Sequence, residues 1–295
     1  MMDQTPYLDQ IKQHLPDLQI DTVTVNNEGM VNDVVIINNA LVFRFPKADW
    51  AVDALRNEAR ILDLARQYVT LPVPALEIHE GGFSVHEMVT GDPLMRHDLL
   101  RLPDSVQDRI AEQLGTFLRQ LHSIPQVALQ QAHIPLADSY RAIDRWRQLY
   151  DDVQREAFPL MMKHTQAVVH TLFAPIMNDP SWLDHTPCLT HGDLAQYHIL
   201  YDPTARRING VIDFGVGGMG DSAGDFGLII NVYGEGFLKR IGQFYPDLPQ
   251  HLDRARFYAG TLELQWLLGG LYSKDFSWFT VHLDRARDIS PYGLA

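Results

Sequence analysis

The hydrophobic periodicity of the chain changes from mainly strand-like to mainly helical near residue 90, and this change limits the folds that the chain can adopt. Residues 20–46 alternate β-branched and polar residues around turn clusters such as NNEG and NN, which is typical of antiparallel strands. The next segment, DWAVDALRNEARILDLARQYV, has apolar residues at helical spacing, with Asp49 as a candidate N-cap. FSVHEMV is predicted to be one more strand. We therefore expect a small β-rich lobe with one helix at the start of the chain.

Helical periodicity dominates after residue 94, and strand-like sequence beyond that point is confined to residues 188–214. The sequence therefore predicts an α+β fold with two lobes. Residues 1–90 form the smaller lobe, and residues 91–295 form the larger, mainly helical lobe. A ligand site is expected in the cleft between the two lobes, because ligands bind preferentially where domains meet.

The composition argues against several classes of function. The 295-residue chain has 24 Lys and Arg against 37 Asp and Glu, and its net charge of -13 without a basic cluster argues against a nucleic-acid partner. The one cysteine, Cys188, cannot form an internal disulfide. Because the sequence shows neither a signal peptide nor an apolar run of roughly 18 residues, we expect a cytoplasmic protein without a membrane segment. The acidic balance serves solubility or favours a cationic small-molecule substrate.

Residues 188–215 hold the strongest candidates for chemistry. They read CLTHGDLAQYHILYDPTARRINGVIDFG, in which two short apolar strands are each followed by a polar loop. Asp193 and His198 lie in the first loop and Asp213 lies in the second, so the three side chains are expected to meet. Phosphoryl transfer needs a carboxylate that orients and deprotonates a hydroxyl group, and further ligands for the magnesium ion on the phosphates. Asp193 suits the first task, and Asp213 and His198 suit the second.

The glycines that follow allow a second interpretation. Gly215, Gly217 and Gly220 fit G-x-G-x-x-G, the signature of a dinucleotide-binding turn. Asp213 and Asp221 flank this run, however, and two carboxylates beside a pyrophosphate would repel it unless a metal ion intervened. We therefore favour the interpretation in which Asp213 serves a metal–phosphate site.

HGDLAQYHIL followed by VIDFG resembles the catalytic and metal-binding loops of the aminoglycoside and macrolide phosphotransferases, which share their fold with protein kinases. The resemblance extends to NEGMVNDVVIINNALVFRFPK and to LELQWLLGGLYS, and among the branches of the family it is most similar to the aminoglycoside 2''-phosphotransferases. It implies a bilobal protein-kinase-like fold with ATP or GTP as co-substrate. The resemblance also implies that Asp193 is the catalytic base and that His198 and Asp213 hold Mg²⁺.

The same resemblance implies which residues hold the nucleotide. Arg44 takes the position of the phosphate-binding lysine of the family, and Glu58 takes the position of its partner on the following helix. The hinge that binds the base through backbone hydrogen bonds falls on Glu87, Met88 and Val89.

Three positions depart from the family pattern. Arg44 replaces the commoner lysine, and although its planar fork can hold phosphate oxygens, Lys47 stays open as an alternative phosphate contact. His198 replaces the commoner asparagine, and because a protonated imidazole cannot bind a metal ion, activity is expected to fall at acidic pH. The loop expected to cover the phosphates, NNEGMVNDVV, has a single glycine, Gly29, and Asn32 is predicted to donate to phosphate there.

An aminoglycoside is the predicted acceptor. Glu235, Glu263 and Trp266 lie in the C-terminal helices, where the resemblance places the substrate pocket. Carboxylates would pair with ammonium groups of the substrate, and an indole would stack on a sugar ring or meet a cation. The structural alternatives stay open as well: Trp266 as a core residue, and the two glutamates as part of a solvated helix face.

Three other functions stay open. A macrolide kinase would use the same residues with a more apolar pocket, and a kinase of a metabolic sugar or amino alcohol has the same expected sequence features. The third is a nucleotide-binding protein without catalytic activity, against which the intact Asp193 and Asp213 argue. Which hydroxyl group is modified, whether ATP or GTP is preferred, and the oligomeric state do not follow from the sequence.

Overall fold

The computed structural model of the protein describes residues 5–27, 29, 31–137 and 143–274. Its N-terminal part is an antiparallel five-stranded sheet with the order β1-β2-β3-β5-β4. The strands are β1 (Val23–Asn26), β2 (Asn32–Ile37), β3 (Leu41–Pro46), β4 (Glu77–Ile78) and β5 (Ser84–Glu87). The antiparallel meander predicted for residues 20–46 is confirmed, since β1 pairs with β2 and β2 pairs with β3.

Two helices accompany this sheet, α1 (Thr5–His14) and α2 (Asp49–Ala65). Helix α1 packs its buried Ile11 against a cluster of apolar side chains from one face of the sheet, and α2 contacts β3 and β4. The N-cap prediction for Asp49 is wrong: Ala48 is the N-cap, and its side chain makes no capping hydrogen bond. Asp49 is the first helical residue, where a negative charge still interacts favourably with the helix dipole.

The larger part of the chain is mainly helical. Its helices are α3 (Arg96–Arg101), α4 (Asp104–His122), α5 (Gln126–Gln131), α6 (Ile143–Asp152), α7 (Lys163–Asn178), α8 (Ser222–Tyr233), α9 (Glu235–Ile241) and α10 (Leu248–Ser273). Helices α8 and α10 pack closely, because a Cβ atom at Gly227 of α8 would lie only 2.9 Å from the carbonyl oxygen of Ala255 in α10. None of the helices in the described ranges is long and apolar enough to cross a membrane.

Five short strands lie among these helices: β6 (Asp92–Pro93), β7 (Cys188–Thr190), β8 (Ile199–Asp202), β9 (Arg207–Val211) and β10 (Gly218–Gly220). Strand β8 pairs with β6 and β9, and β7 pairs with β10. The expectation that strands after residue 94 are confined to residues 188–214 is wrong for β10. Its sequence Gly-Met-Gly lacks the β-branched residues that signal a strand, and pairing with β7 orders it.

The hairpin β8–β9 joins the two parts of the molecule. The backbone N–H of Val211 donates to the carbonyl oxygen of Pro72 at 3.0 Å, and the Asn209 side chain donates to the carbonyl oxygen of Thr90 at 2.8 Å. The division predicted between residues 90 and 91 falls between β5 and β6. The expected α+β class, with a small antiparallel β-rich lobe and a larger, mainly helical lobe, is confirmed.

Candidate active site

Arg44 of β3 and Glu58 of α2 form a buried ion pair. The Nη1 group of Arg44 donates to both carboxylate oxygens of Glu58 at 2.7 Å, and the two side chains are 14% and 1% exposed. Burial opposes the charge on Arg44, but the carboxylates of Glu58 and Asp213 outweigh burial and hold the pKa of Arg44 above its ordinary value. The structure therefore brings together two residues that the sequence predicts to act at the nucleotide site.

This ion pair also contacts the loop after β9, which belongs to the other lobe. The backbone N–H of Phe214 donates to Oε1 of Glu58 at 3.2 Å, and Nη2 of Arg44 lies 3.8 Å from Oδ1 of Asp213. The smaller lobe thus presents one positive side chain directly to the polar loop that carries Asp213.

Asp193, His198 and Asp213 converge as the sequence predicts. A single 3₁₀ turn, Gln196–His198, brings the His198 ring back to the start of its own loop, where Nδ1 donates to the carbonyl oxygen of Asp193 at 2.8 Å. The other ring nitrogen, Nε2, lies 3.3 Å from Oδ2 of Asp213. The carboxylates remain accessible to a ligand, since the Asp193 and Asp213 side chains are 47% and 43% exposed.

The two aspartates have opposite pKa shifts. Protein surrounds both carboxylates on the sides away from solvent, and this burial raises the pKa of Asp193, although His198 and His191 oppose the rise. Burial acts in the same direction on Asp213, but Arg44 and His198 outweigh it and hold the pKa of Asp213 below its ordinary value. Carboxylates whose pKa values are driven apart take different roles. Asp193 suits proton transfer, and Asp213 suits a permanent negative charge.

The pair His198–Asp213 fits a divalent cation. Nδ1 of His198 donates to the Asp193 carbonyl, so in the neutral tautomer Nε2 would present a lone pair toward the carboxylate of Asp213. Two acceptors at this separation favour a cation beside them. Across the described ranges no group of three or more His, Cys, Asp or Glu side chains could hold a metal ion. Two protein ligands suit Mg²⁺, which takes its remaining oxygens from water and phosphate.

Asp225 of α8 holds the loop that carries Asp193. Its carboxylate accepts hydrogen bonds from the backbone N–H groups of His191 and Gly192, each at 2.9 Å, and lies 3.1 Å from Nε2 of His122 in α4. The Asp225 side chain is 0% exposed. Burial acts to raise the pKa of Asp225, but these hydrogen bonds and the nearby histidines hold it below its ordinary value.

His191 connects the two polar loops. Its Nδ1 accepts from the backbone N–H of Asp193 at 3.2 Å, and its Nε2 donates to the carbonyl oxygen of Ile212 at 3.1 Å. These contacts require the neutral ring, and burial lowers the pKa of His191. The imidazole therefore sets the distance between Asp193 and the strand end that precedes Asp213.

The glycine-rich run serves the packing of these loops, since a Cβ atom at Gly217 would lie 3.0 Å from the carbonyl oxygens of Phe214 and Thr190. A Cβ atom at Gly192, where φ is +81°, would lie 2.7 Å from the carbonyl oxygen of Val216. Asp213 itself has φ of +67°, a strained value for a residue with a side chain and one that often marks functional sites. The N-terminus of α8 is capped by Asp221, which accepts from the backbone N–H of Ala223 at 3.0 Å. A pyrophosphate has no place there, so the structure does not support the dinucleotide interpretation.

The remaining residues predicted for the nucleotide site lie near Arg44 or at the lobe junction. Asn32 begins β2 and is only 5% exposed. In the predicted hinge, the backbone N–H of Met88 donates to the carbonyl oxygen of Ala40 at 2.7 Å, and Nδ1 of His86 donates to the carbonyl oxygen of Glu87 at 2.8 Å. Contacts of Asn32, Glu87, Met88 and Val89 with a nucleotide stay predictions.

A cavity of about 210 Å³ opens beside the loop that carries Asp193. Its wall combines that loop with residues of α6, α8 and α10 and is mostly apolar. Residues in the wall include Gly192, Trp146, Val216, Tyr258, Leu262 and Gln265. Gly192 directly precedes Asp193, so the cavity reaches the backbone of the loop that carries the candidate base.

The match to a known protein family covers both lobes. The sequence pattern of the phosphotransferase enzyme family, APH, matches residues 22–258, which include the Arg44–Glu58 pair and both polar loops. The chain belongs to this family. It is 28% identical to the viomycin phosphotransferase of Streptomyces vinaceus over 244 residues, which are 79% of this chain and 81% of that protein.

Solved structures with a similar fold support the assignment of the chain to this family. The GDP complex of wild-type aminoglycoside 2'-phosphotransferase-IIIa matches with a TM-score of 0.84 and 27% identity, over 96% of this chain and 97% of that chain. The GDP and kanamycin complex of APH(2'')-IIIa matches with a TM-score of 0.82 and 27% identity, over 95% and 96% of the two chains. The resemblance and the kinase-like fold predicted from the sequence are confirmed.

Three residues predicted to contact the acceptor of the phosphotransferase lie outside the cavity wall. The carboxylate of Glu235 is bound by Arg256, with Nε to Oε1 at 2.7 Å, and Glu263 accepts from the side chain of Asn231 at 2.6 Å. Trp266 is half-buried and follows the lining residue Gln265. Their contact with an acceptor stays a prediction.

The sequence analysis missed Trp146, Tyr258 and Gln265. Residues Tyr258, Leu262 and Gln265 follow each other at helical spacing on one face of α10. This spacing could have indicated the face of α10 that lines the cavity. It is hard to recognise in the sequence, because α10 carries apolar residues on several of its faces.

Proposed function

We propose that this phosphotransferase transfers the γ-phosphoryl group of ATP or GTP to a hydroxyl group of an aminoglycoside or a similar cationic small molecule. One observation carries the proposal: Asp193, His198 and Asp213 converge beside a cavity that begins at Gly192. The nucleotide is proposed to lie in the cleft between residues 1–90 and 91–295.

In the proposed reaction the acceptor oxygen attacks the γ-phosphorus, and its proton passes to Asp193. The bond between the γ-phosphorus and the bridging oxygen breaks, and the nucleoside diphosphate leaves with that oxygen. The raised pKa of Asp193 supports this role, because a general base is most effective when its pKa approaches the working pH. Mg²⁺ held by His198 and Asp213 would neutralise charge on the phosphates.

Arg44 is proposed to orient the phosphates. Glu58 accepts from Nη1 only, and a guanidinium has five N–H donors, so Arg44 retains donors for phosphate oxygens. The hinge Glu87, Met88 and Val89 is proposed to bind the base through its backbone. The two aminoglycoside phosphotransferase structures compared above are GDP complexes, which supports a purine nucleotide as the donor.

Three observations support a cationic acceptor. The chain carries a net charge of -13, and similar proteins include a viomycin phosphotransferase and a kanamycin complex.

The cavity of about 210 Å³ is smaller than the roughly 300 to 1,000 Å³ of pockets that enclose a drug-sized ligand. We therefore infer that one ring of the acceptor enters the cavity while its charged groups stay outside.

The mostly apolar wall of the cavity favours a second candidate. Among the described residues that line it, Asp225 alone carries a carboxylate, and Asp225 is already bound by backbone N–H groups of the loop. A neutral acceptor, such as a macrolide or a metabolic sugar, would suit this wall. The two candidate functions differ in the charge of the acceptor ring that would enter the cavity.

The experiment is a screen for acceptor-dependent release of nucleoside diphosphate. Kanamycin, viomycin, a macrolide and a hexose are each incubated with the protein, Mg²⁺ and either ATP or GTP, and mass spectrometry then checks for a phosphorylated acceptor. We expect a phosphorylated product with a cationic acceptor and none with the Asp193→Asn variant. Turnover of the neutral acceptors alone would establish the second candidate. If the protein bound neither nucleotide, both candidates would be rejected.

A further inference from the structure

Lys47, the residue after β3, holds the segment between β1 and β2. Its ammonium group donates to the carbonyl oxygen of Asn27 at 2.7 Å and to that of Gly29, and it lies 3.3 Å from Oδ1 of Asp33. Its backbone N–H donates to the carbonyl oxygen of Val31 at 2.9 Å. An ammonium group has three donors, and these three side-chain contacts use all of them.

Lys47 acts on the opposite face of the sheet from Arg44. Asp33 pairs in register with Phe45, whose neighbour Arg44 points to the other face, because side chains alternate along a strand. Asp33 faces α1, and the hydroxyl of Tyr7 in α1 donates to its Oδ2 at 2.8 Å. The contacts of Lys47 therefore lie on the α1 side of the sheet, away from the ion pair with Glu58.

Tyr7, Asp33 and Lys47 form a continuous connection from α1 to the backbone of Asn27, Gly29 and Val31, between β1 and β2. The Tyr7 ring also packs on Phe45, with ring centroids 5.0 Å apart. Asp33 and Lys47 are 18% and 33% exposed, so both charges are partly shielded from water and from salt. Helix α1 is thus connected through Asp33 to Lys47, which in turn contacts the backbone of Asn27, Gly29 and Val31.

We propose that Lys47 is a positioning residue that holds the backbone of Asn27, Gly29 and Val31 over the nucleotide phosphates, anchored to α1 through Asp33 and Tyr7. This inference rests on the proposed function, since the segment covers phosphates only if the cleft binds a nucleotide. It assigns the phosphate contact to Arg44 and the support of the loop to Lys47. A loop that is already ordered in the free protein binds the nucleotide more tightly, because its conformational entropy is lost during folding and not during binding.

The main test is the variant Lys47→Met. Calorimetric titration with Mg²⁺ and ADP, and separately with Mg²⁺ and GDP, measures nucleotide affinity without an acceptor. We expect the dissociation constant to rise about five- to tenfold, the equivalent of ordering one or two side chains. In steady-state assays the KM for the nucleotide should rise by a similar factor, while kcat and the KM for the acceptor change by less than about twofold.

Three further variants separate the support of the loop from general damage to the lobe. Lys47→Arg keeps a charged donor and should restore affinity to within about twofold of the wild type. Tyr7→Phe removes only the anchoring hydroxyl and should raise the dissociation constant about twofold. Lys12→Met, which removes an exposed lysine of the same helix α1, is the matched control and should change none of these constants.

Amide hydrogen exchange of the segment 24–35, measured without nucleotide, tests the loop independently of the proposed function. Exchange should be faster in Lys47→Met than in the wild type or in Lys12→Met. Equal exchange rates, or a large loss of kcat at unchanged nucleotide affinity, would overturn the proposal. Failure of the wild type to bind either nucleotide would reject the proposed function, while the exchange rates would still decide whether Lys47 holds the loop.

Discussion

The two lobes hold the charges of the site in different ways. Arg44 and Glu58 in the smaller lobe are 14% and 1% exposed and satisfy each other. Asp193 and Asp213 in the larger lobe are 47% and 43% exposed and keep oxygens available on one side. A buried charge without its partner is costly, whereas a half-exposed carboxylate tolerates the loss of a neighbour. The first arrangement therefore serves as a framework, and the second is suited to contact substrates and a metal ion.

This difference predicts different consequences of substitution. Removal of a framework residue should lower both the stability and the activity of the protein. Removal of a half-exposed aspartate should lower the activity alone.

The largest effect is expected for Glu58→Ala. The variant leaves the Arg44 guanidinium buried without its partner, and the free energy of unfolding should fall by about 3 to 5 kcal/mol, with loss of activity. Urea unfolding measures the change. Asp53→Ala is the matched control on the same helix: it breaks the exposed pair with Arg56, at 3.0 Å, and should cost less than about 1 kcal/mol. Equal losses of unfolding free energy in the two variants would show that burial of the Arg44–Glu58 pair does not affect its contribution to stability.

Asp193→Ala should lower kcat by about two orders of magnitude or more, because the proposed proton acceptor is lost. The free energy of unfolding should stay within about 0.5 kcal/mol of the wild type, since the side chain is half-exposed. Asp193→Asn keeps the size of the side chain without its basicity and should be equally inactive. Near-normal turnover in either variant would refute the role of Asp193.

Gly192→Ala tests the close approach of the two polar loops. A side chain at this position combines a left-handed backbone with a contact of 2.7 Å to the carbonyl oxygen of Val216. We expect a loss of about 1 to 3 kcal/mol in unfolding free energy, together with reduced kcat. In the matched control, Gly236→Ala, a Cβ atom would have no neighbour within 4 Å. A Gly192→Ala protein as stable and active as this control would contradict the packing described here.

The smallest of the four effects concerns pH. The pKa of Asp225 is held below its ordinary value in the folded protein, so its ionised form stabilises the fold at neutral pH. This contribution is present above the ordinary carboxyl pKa of about 4 and is lost as the pH falls below it. The asparagine variant Asp225→Asn should be less stable than the wild type at pH 7, and the difference should shrink toward pH 3. Thermal unfolding at several pH values measures it. A difference in stability between the two proteins that does not change with pH would contradict the prediction.

Much of the site follows from short segments of sequence. HGDLAQYHIL and VIDFG each place polar residues directly after a short apolar strand, and this local pattern predicted that Asp193, His198 and Asp213 would meet. The meander in residues 20–46 was predicted for a similar reason, because the alternation of side chains along a strand is visible in the order of residues.

Other parts of the molecule depend on contacts between distant segments. The strand β10 is ordered by its pairing with β7, and the carboxylate of Asp225 is needed because the backbone N–H groups of His191 and Gly192 are buried beside it. Neither relation has a signal in the order of residues. Lys47 illustrates the same limit, since its contacts with Asn27, Gly29 and Asp33 depend on which face of the sheet carries α1.

The cavity beside Gly192 shows most clearly where prediction from sequence ends. The helical spacing of residues predicted α10, and the family resemblance implied a substrate pocket there with Glu263 and Trp266. The cavity is lined instead by their neighbours Leu262 and Gln265, and contact of Glu263 and Trp266 with an acceptor stays a prediction. One residue along a helix turns the side chain by about 100°, and α10 has no single polar face that shows its orientation. Packing against α6 and α8 sets that orientation, so folding of the whole lobe decides which side chains meet the acceptor.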